Sequence, residues 1–259
     1  MNPTWHIFFD LHGVLAVLGE VGKNYANFIV KILEPVGISR KEAIDIHAKA
    51  HKIWIKAFRE ANNISTSDDY DPDAFMARIK ELDTEWENFV LAFIPEGDRT
   101  KIKPMLETQK AEYSAMAGMN SNALYPEVKE VVQHLKDIRN VRMHVASSAS
   151  SYHIKGTLDS QDLTRFFDTL IGFDTVKAPK KAPGGWYFKK MLEITGADPN
   201  HSFFVGDSME EAQLAMEHGL KYVMVDRFNK PGKYDVKDLN FEIIDDLSQL
   251  FPIIQRYIE

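Results

Sequence analysis

Apolar residues follow two rhythms along this chain, and the change between them divides it. Ile7-Phe8-Phe9 is a short continuous apolar run that stops at Asp10, the pattern of a strand buried on both faces. From about Lys23 to Met116 the spacing becomes three and four. Ile46, Ala50, Ile53, Ala57 and Phe58 make one helical stripe, interleaved with Lys49, Lys52, Lys56 and Arg59. Phe75, Ile79, Leu82, Trp86, Phe89 and Val90 make a second over Asp73–Phe93. The segment between them, 65–74, is rich in turn and cap residues. No strand is predicted anywhere in this block.

Beyond it, strand and helix alternate. A helix over Pro126–Lys136 leads to a strand at Met143–Ala146, and further strands are predicted at Leu170–Phe173, Phe203–Val205 and Tyr222–Val225. Helices over Trp186–Thr195 and Met209–His218 lie between them, and Phe241–Ile244 with a helix after Asp246 closes the chain. Continuous apolar strands alternating with helices predict an α/β fold, a parallel sheet core with helices on both faces. The helical block, roughly a hundred residues long, is too large to be a loop and is predicted to be an insertion into that core.

The residues just past each strand then matter, because open parallel sheets bind ligands beyond the carboxyl ends of their strands. The first strand ends in Asp10, the second in Ser147-Ser148, and the strand at 203–205 in Gly206-Asp207-Ser208. The strand at 170–173 leads to Lys177, Lys180 and Lys181. Any one of these has a plainer explanation as a helix cap. Two acids, a hydroxyl and a lysine converging on one edge point instead to a shared site.

Composition narrows what that site can be. The chain has 259 residues, 44% hydrophobic and 27% charged, as in an ordinary globular protein. It has no cysteine, which excludes disulfides, zinc–thiolate sites and a cysteine nucleophile. The net charge of −7, without a dense basic block, argues against a nucleic-acid partner. No stretch approaches the ~20 apolar residues of a membrane span, and the first apolar run is too short for a signal peptide. Asn63-Ile64-Ser65 is taken as a chance sequon. A cytoplasmic protein with a small-molecule substrate is expected, and the oligomeric state leaves no mark in the sequence.

The ordered segments Asp10-Leu11-His12-Gly13-Val14, "HVASSAS", "VKAPKKAPGGWY" and Gly206-Asp207-Ser208-Met209-Glu210-Glu211 together resemble the four motifs of the haloacid dehalogenase-like hydrolase superfamily. "LAMEHGLKYVMVDR" is similar to that family's usual continuation. The resemblance implies a Rossmann-like core at 1–16 and 122–259, interrupted by a type 1 helical cap at 17–121. It implies Asp10 as nucleophile, Ser147 with Ser148 and Lys180 as phosphate-binding groups, and Mg²⁺ held by Asp10, the His12 main-chain carbonyl, Asp207 and Glu211. Lys180 is preferred to Lys177 or Lys181 because Pro183 keeps the family's spacing. A carboxylate is ionised at neutral pH and attacks phosphorus without a base, while a hard divalent cation offsets the repulsion between anions. The expected activity is hydrolysis of small phosphorylated metabolites through an aspartyl-phosphate.

His12 departs from the pattern, standing where the family has its second aspartate. That residue normally donates a proton to the leaving group and then activates water. Imidazole is capable of both, and nearby Asp10 is expected to favour its charged form. Three explanations stay open: a working acid/base, a dehalogenase- or phosphonatase-type reaction, or a weak or inactive member that binds a phospho-ligand or protein. A phosphonatase would also require a Schiff-base lysine, for which Lys23 and Lys52 are the candidates. Lys23 and Tyr25 are further expected to face substrate from the cap. His47 and His51, four apart on a helix, are taken as a chance pair, and Trp54 and Trp86 as core. His144 and His201 are expected to pack or cap. "GEVGKN" at 19–24 lacks the glycine spacing and hydroxyl of a phosphate-binding loop.

Overall fold

The computed structural model describes residues 3–63, 70–108, 110–228 and 240–258. Its sheet is built from β1 (Trp5–Phe9), β2 (Val141–Ala146), β3 (Thr169–Ile171), β4 (Ser202–Gly206), β5 (Lys221–Val225) and β6 (Glu242–Ile244). They lie in the order β3-β2-β1-β4-β5-β6, every neighbouring pair parallel. Ile7 is level with Met143 on one side and Phe203 on the other, so β1 is the central strand. The strand order reverses between β1 and β4, which is where a doubly wound sheet opens its ligand crevice.

Alternation along the strands sends side chains to two separate cores. Ile7 and Phe9 join Met143, Val145, Phe203 and Val205 on one face. Covering them are α6 (Val128–Lys136), α7 (Ser151–Asp159) and α11 (Leu250–Ile258), through Val132, Leu135, Ile154, Leu158 and Ile254. Phe8 and Phe204 face the other way, onto Tyr187 and Phe188 of α9 (Trp186–Thr195) and onto Ala212 and Ala215 of α10 (Met209–Glu217). At roughly 1.5–3 kcal/mol for each fully buried large side chain, these two layers hold the sheet rigid. The predicted strand at 170–173 stops at Ile171. Gly172 caps a short helix, α8 (Phe173–Val176), and Phe173 bonds the Ala149 carbonyl instead of a neighbouring strand.

The insertion comprises α1 (Leu18–Leu33), α2 (Arg40–Asn63), α3 (Pro72–Leu91), α4 (Glu96–Thr108) and α5 (Lys110–Met119). Helix α3 opens with Pro72 after an Asp71 cap whose carboxylate accepts from the Asp73 and Ala74 N–H groups. Ile29, Leu33, Ala43, Ile46, Val90, Ile102 and Leu106 form a core of their own. Ile53, expected in that stripe, instead faces solvent at 47% exposure. Residues 65–69 of the predicted turn lie outside the described residues.

The insertion packs on the sheet domain through α5 and again around Tyr70. Helix α5 lies backbone-to-backbone on α7: a methyl group at Gly156 would overlap the Ala115 carbonyl, and one at Gly118 would press on the Thr157 amide. At the other end the Tyr70 hydroxyl donates to the Lys177 carbonyl at 2.8 Å, and Lys177 pairs with Asp73 at 2.8 Å. Phe58 and Phe75 close on Phe173 there. Among the described residues no helix is long and apolar enough to cross a membrane.

Candidate active site

The carboxyl end of β1 delivers Asp10 into the crevice. Its N–H bonds the Val205 carbonyl at 2.9 Å, fixing it beside β4, and its Oδ1 accepts the Leu11 N–H at 2.6 Å. The chain then turns at Gly13, whose φ of +81° is a left-handed conformation that favours glycine. Space imposes the same choice, because a methyl group at Gly13 would overlap the Asp207 carboxylate. Asp207 follows β4, and Glu211 lies in the first turn of α10, four residues on, which returns its carboxylate to the same point. Asp10, Asp207 and Glu211 each place a carboxylate oxygen within 4.8 Å of the others.

Lys180 enters from the loop after α8 and lies between two of these acids. Its Nζ is 2.6 Å from Asp10 Oδ2 and 2.8 Å from Glu211 Oε1, and its side chain is 3% exposed. Burial works against its charge, but Asp10 and Glu211 outweigh that and hold its pKa above the usual lysine range. Glu211 moves the opposite way for a carboxyl: burial, with repulsion from Asp10 and Asp207, raises it to about 7 against the pull of Lys180. Lys177 and Lys181 are exposed and pair with Asp73 and Glu210. Ser147 is buried, with its Oγ accepting the Ala149 N–H at 3.3 Å, and the Ser148 hydroxyl accepts the Lys180 N–H at 3.4 Å.

Three carboxylates face one ammonium, so the site is short of positive charge. Glu211 Oε2 is buried with no hydrogen-bond partner. All the donors offered are hard oxygens. The residues present therefore fit a hard divalent cation. His47 and His51 do not: among the described residues, Asp10, Asp207 and Glu211 are the one group of three or more candidate ligands.

His12 behaves differently from its sequence expectation. Burial lowers its pKa and exceeds the attraction of Asp10, with Lys180 adding to the depression. Its Nε2 lies 3.1 Å from Nε2 of His153 on α7. His153 is lowered further, to about 3, by burial and by His12 itself. Tyr25 of α1 reaches the same group, its hydroxyl 2.6 Å from His153 Nδ1. His47 and His51 lie beside Tyr25 as near-parallel rings, 6.5 and 6.3 Å away. His144 lies inside β2, stacked on His6 and Phe8, and His201 bonds Asp198, both away from this cluster.

Two groups escaped the strand-end reading. Arg227, just past β5, donates to the Gly13 carbonyl at 3.1 Å and the Val14 carbonyl at 2.6 Å. It pairs with Glu127 at 2.7 Å and lies on the Tyr125 ring, clamping the turn beneath Asp10. Extending the strand-end rule to β5 would have found it. His153 is the other, and its position in the first turn after the serines was the available signal.

Residues 48–225 match the family model described as haloacid dehalogenase-like hydrolase. A phosphoglycolate phosphatase of Pseudomonas syringae pv. syringae is 30% identical over 129 residues, 50% of this chain and 46% of that protein. The chain thus spans about half the length of the curated relatives it matches. A 2-haloacid dehalogenase of Pseudomonas syringae pv. tomato superposes over 99% of this chain and 100% of its own, with a TM-score of 0.64 at 16% identity. A phosphatase of Thermococcus onnurineus does so over 98% of each chain, with a TM-score of 0.59 at 20% identity. Both share the fold.

Proposed function

The chain belongs to the haloacid dehalogenase-like hydrolases, and on that footing we propose that it is a Mg²⁺-dependent hydrolase of small phosphorylated metabolites, with Asp10 as nucleophile. The observation that carries this reading is the buried Asp10–Lys180–Glu211 arrangement facing Asp207 at the sheet's switch point. Phosphatase relatives favour a phosphate ester as substrate. The grouped acids favour a metal-assisted reaction, since Asp207 and Glu211 join Asp10 in an arrangement suited to a hard cation.

Asp10 Oδ attacks phosphorus, the ester P–O bond breaks, and the leaving oxygen takes a proton. Water then attacks the aspartyl-phosphate and restores the carboxylate. Asp10, Asp207, Glu211 and the His12 carbonyl would hold Mg²⁺, which supplies charge neutralisation between nucleophile and phosphoryl oxygens. Lys180 orients Asp10, and its ammonium with Ser147 and Ser148 binds phosphoryl oxygens, where charge accumulates. His12 handles the proton in place of the usual carboxylate. Residues 17–121 act as a cap over the core at 1–16 and 122–259, which it meets through Tyr25 and Tyr70.

The test is phosphate release from an aryl phosphate with and without Mg²⁺, beside 2-haloacids and phosphonates. Wild type is expected to act on the phosphate ester only with Mg²⁺, and Asp10→Asn to lose that activity. Equal, negligible rates for both proteins, or halide release unaffected by chelator, would refute the proposal.

A further inference from the structure

A line of hydrogen bonds leaves the core at His12 and ends in the inserted helices. His12 Nε2 meets His153 Nε2 at 3.1 Å, and His153 Nδ1 meets the Tyr25 hydroxyl at 2.6 Å. The line is held from several sides. The Tyr113 hydroxyl of α5 donates to the Tyr25 carbonyl at 2.9 Å, Ser114 bonds the Tyr25 side chain, and the Ser150 hydroxyl caps the His153 amide. Tyr25 belongs to the insertion and His153 to the sheet domain, so the line exists only while the two are apposed.

Counting protons defines what such a line can do. Two facing imidazole nitrogens bond only when one of them carries hydrogen, and the same holds between a phenol and an imidazole. In one arrangement Tyr25 O–H donates to His153 Nδ1, His153 Nε2–H donates to His12 Nε2, and the remaining His12 proton sits on Nδ1. In the other, His12 Nε2–H donates to His153 Nε2 and His153 Nδ1–H donates to the Tyr25 oxygen, leaving His12 Nδ1 bare. One proton lies in each gap in both cases. The second holds one proton fewer, the one given up at His12 Nδ1, and its Tyr25 is a phenolate.

We propose that Tyr25 and His153 form a proton relay to His12, through which its imidazole both gives and takes the proton that phosphate-ester hydrolysis requires. The inference rests on the hydrolase reading above. As the ester bond breaks, His12 Nδ1–H passes to the leaving oxygen, His153 returns a proton to His12 Nε2, and Tyr25 returns one to His153 Nδ1. An alkoxide is a stronger base than a phenolate, so the transfer runs downhill to a Tyr25 phenolate held by His153 and Ser114. When water attacks the aspartyl-phosphate, its proton enters at His12 Nδ1 and the line shifts back. Each turnover begins and ends with the same protons in place.

Leaving-group acidity separates this role from a structural one. With Mg²⁺, kcat/KM is measured on p-nitrophenyl phosphate, whose leaving group needs no proton, and on a simple alkyl phosphate, whose leaving group does. This ratio covers binding and the first chemical step and leaves out the later hydrolysis of the aspartyl-phosphate. In Tyr25→Phe the aryl-to-alkyl ratio of kcat/KM is expected to rise about a hundredfold, the scale of general acid catalysis. His153→Gln, which can bridge the same neighbours but cannot pass a proton between them, is expected to raise it similarly. Thermal melting confirms that each variant is folded. Equal losses on both esters, a wild-type ratio in His153→Gln, or a wild type that cleaves only the aryl ester would overturn the relay and leave the hydrolase reading standing. A wild type that releases no phosphate from either ester would overturn both.

Discussion

Replacing Glu211 by glutamine should make the protein more stable, although the residue is buried and ion-paired. The reason lies in its neighbours. Lys180 at 2.8 Å attracts the carboxylate, but burial and the Asp10 and Asp207 charges together repel it more strongly, so its pKa rises from 4.5 to about 7. At about 1.4 kcal/mol for each pH unit, ionised Glu211 costs the native state about 3 kcal/mol at pH 8. The folded protein binds this proton more tightly than the unfolded chain. Stability therefore falls as pH rises from 4.5 to about 7, and this contribution is flat on either side.

Glutamine keeps an oxygen for Lys180 and removes the charge. Urea unfolding in EDTA should show Glu211→Gln more stable than wild type by about 2–3 kcal/mol at pH 8, a midpoint shift of about 1 M, with the two proteins converging towards pH 4.5. Adding Mg²⁺ should stabilise wild type by mass action and leave the variant nearly unchanged. A variant no more stable than wild type at pH 8, or one whose advantage is the same at pH 5, would refute the electrostatic reasoning. The trade of stability for an acidic site is a common one.

Other changes probe different parts of the same arrangement. Lys180→Met strips two buried carboxylates of their shared cation and should cost about 3–5 kcal/mol in urea unfolding at pH 8, less at pH 5 as Glu211 takes a proton. Gly13→Ala must strain a φ of +81° and displace Asp207, so phosphate release should fall at least ~100-fold while unfolding shows a loss of only about 1–3 kcal/mol. Gly156→Ala forces α5 away from α7 and should lower stability by about 1–3 kcal/mol, read by thermal melting.

Much of the sheet was legible because parallel strands buried on both faces must be continuously apolar, and Ile7-Phe8-Phe9 and Phe203-Phe204-Val205 are. That periodicity also located α9, whose observed bounds are the predicted ones. Ile53 and Phe173 mark the limits. Helical spacing alone did not reveal that α2 turns Ile53 to solvent, nor that Gly172 ends the strand one residue before Phe173. The convergence of Asp10, Lys180 and Asp207 was visible from strand ends, because topology alone carries those ends to one edge. Arg227 obeys the same rule at the end of β5, one strand further along the sheet.

The charge of His12 was a different kind of problem. Sequence places Asp10 two residues away, and proximity to a carboxylate argues for imidazolium. Burial pulls the other way, and the hydrogen-bonded line beside His12 comes from His153 and Tyr25, which lie 141 and 13 residues further along the chain. No local pattern announces that α1 will set a phenol against a histidine of α7. With its pKa lowered, His12 carries an extra proton for less of the time, and the relay proposed above offers another source. Tyr25 and His153 are placed to be that source: His153 is hydrogen-bonded to His12, and Tyr25 to His153.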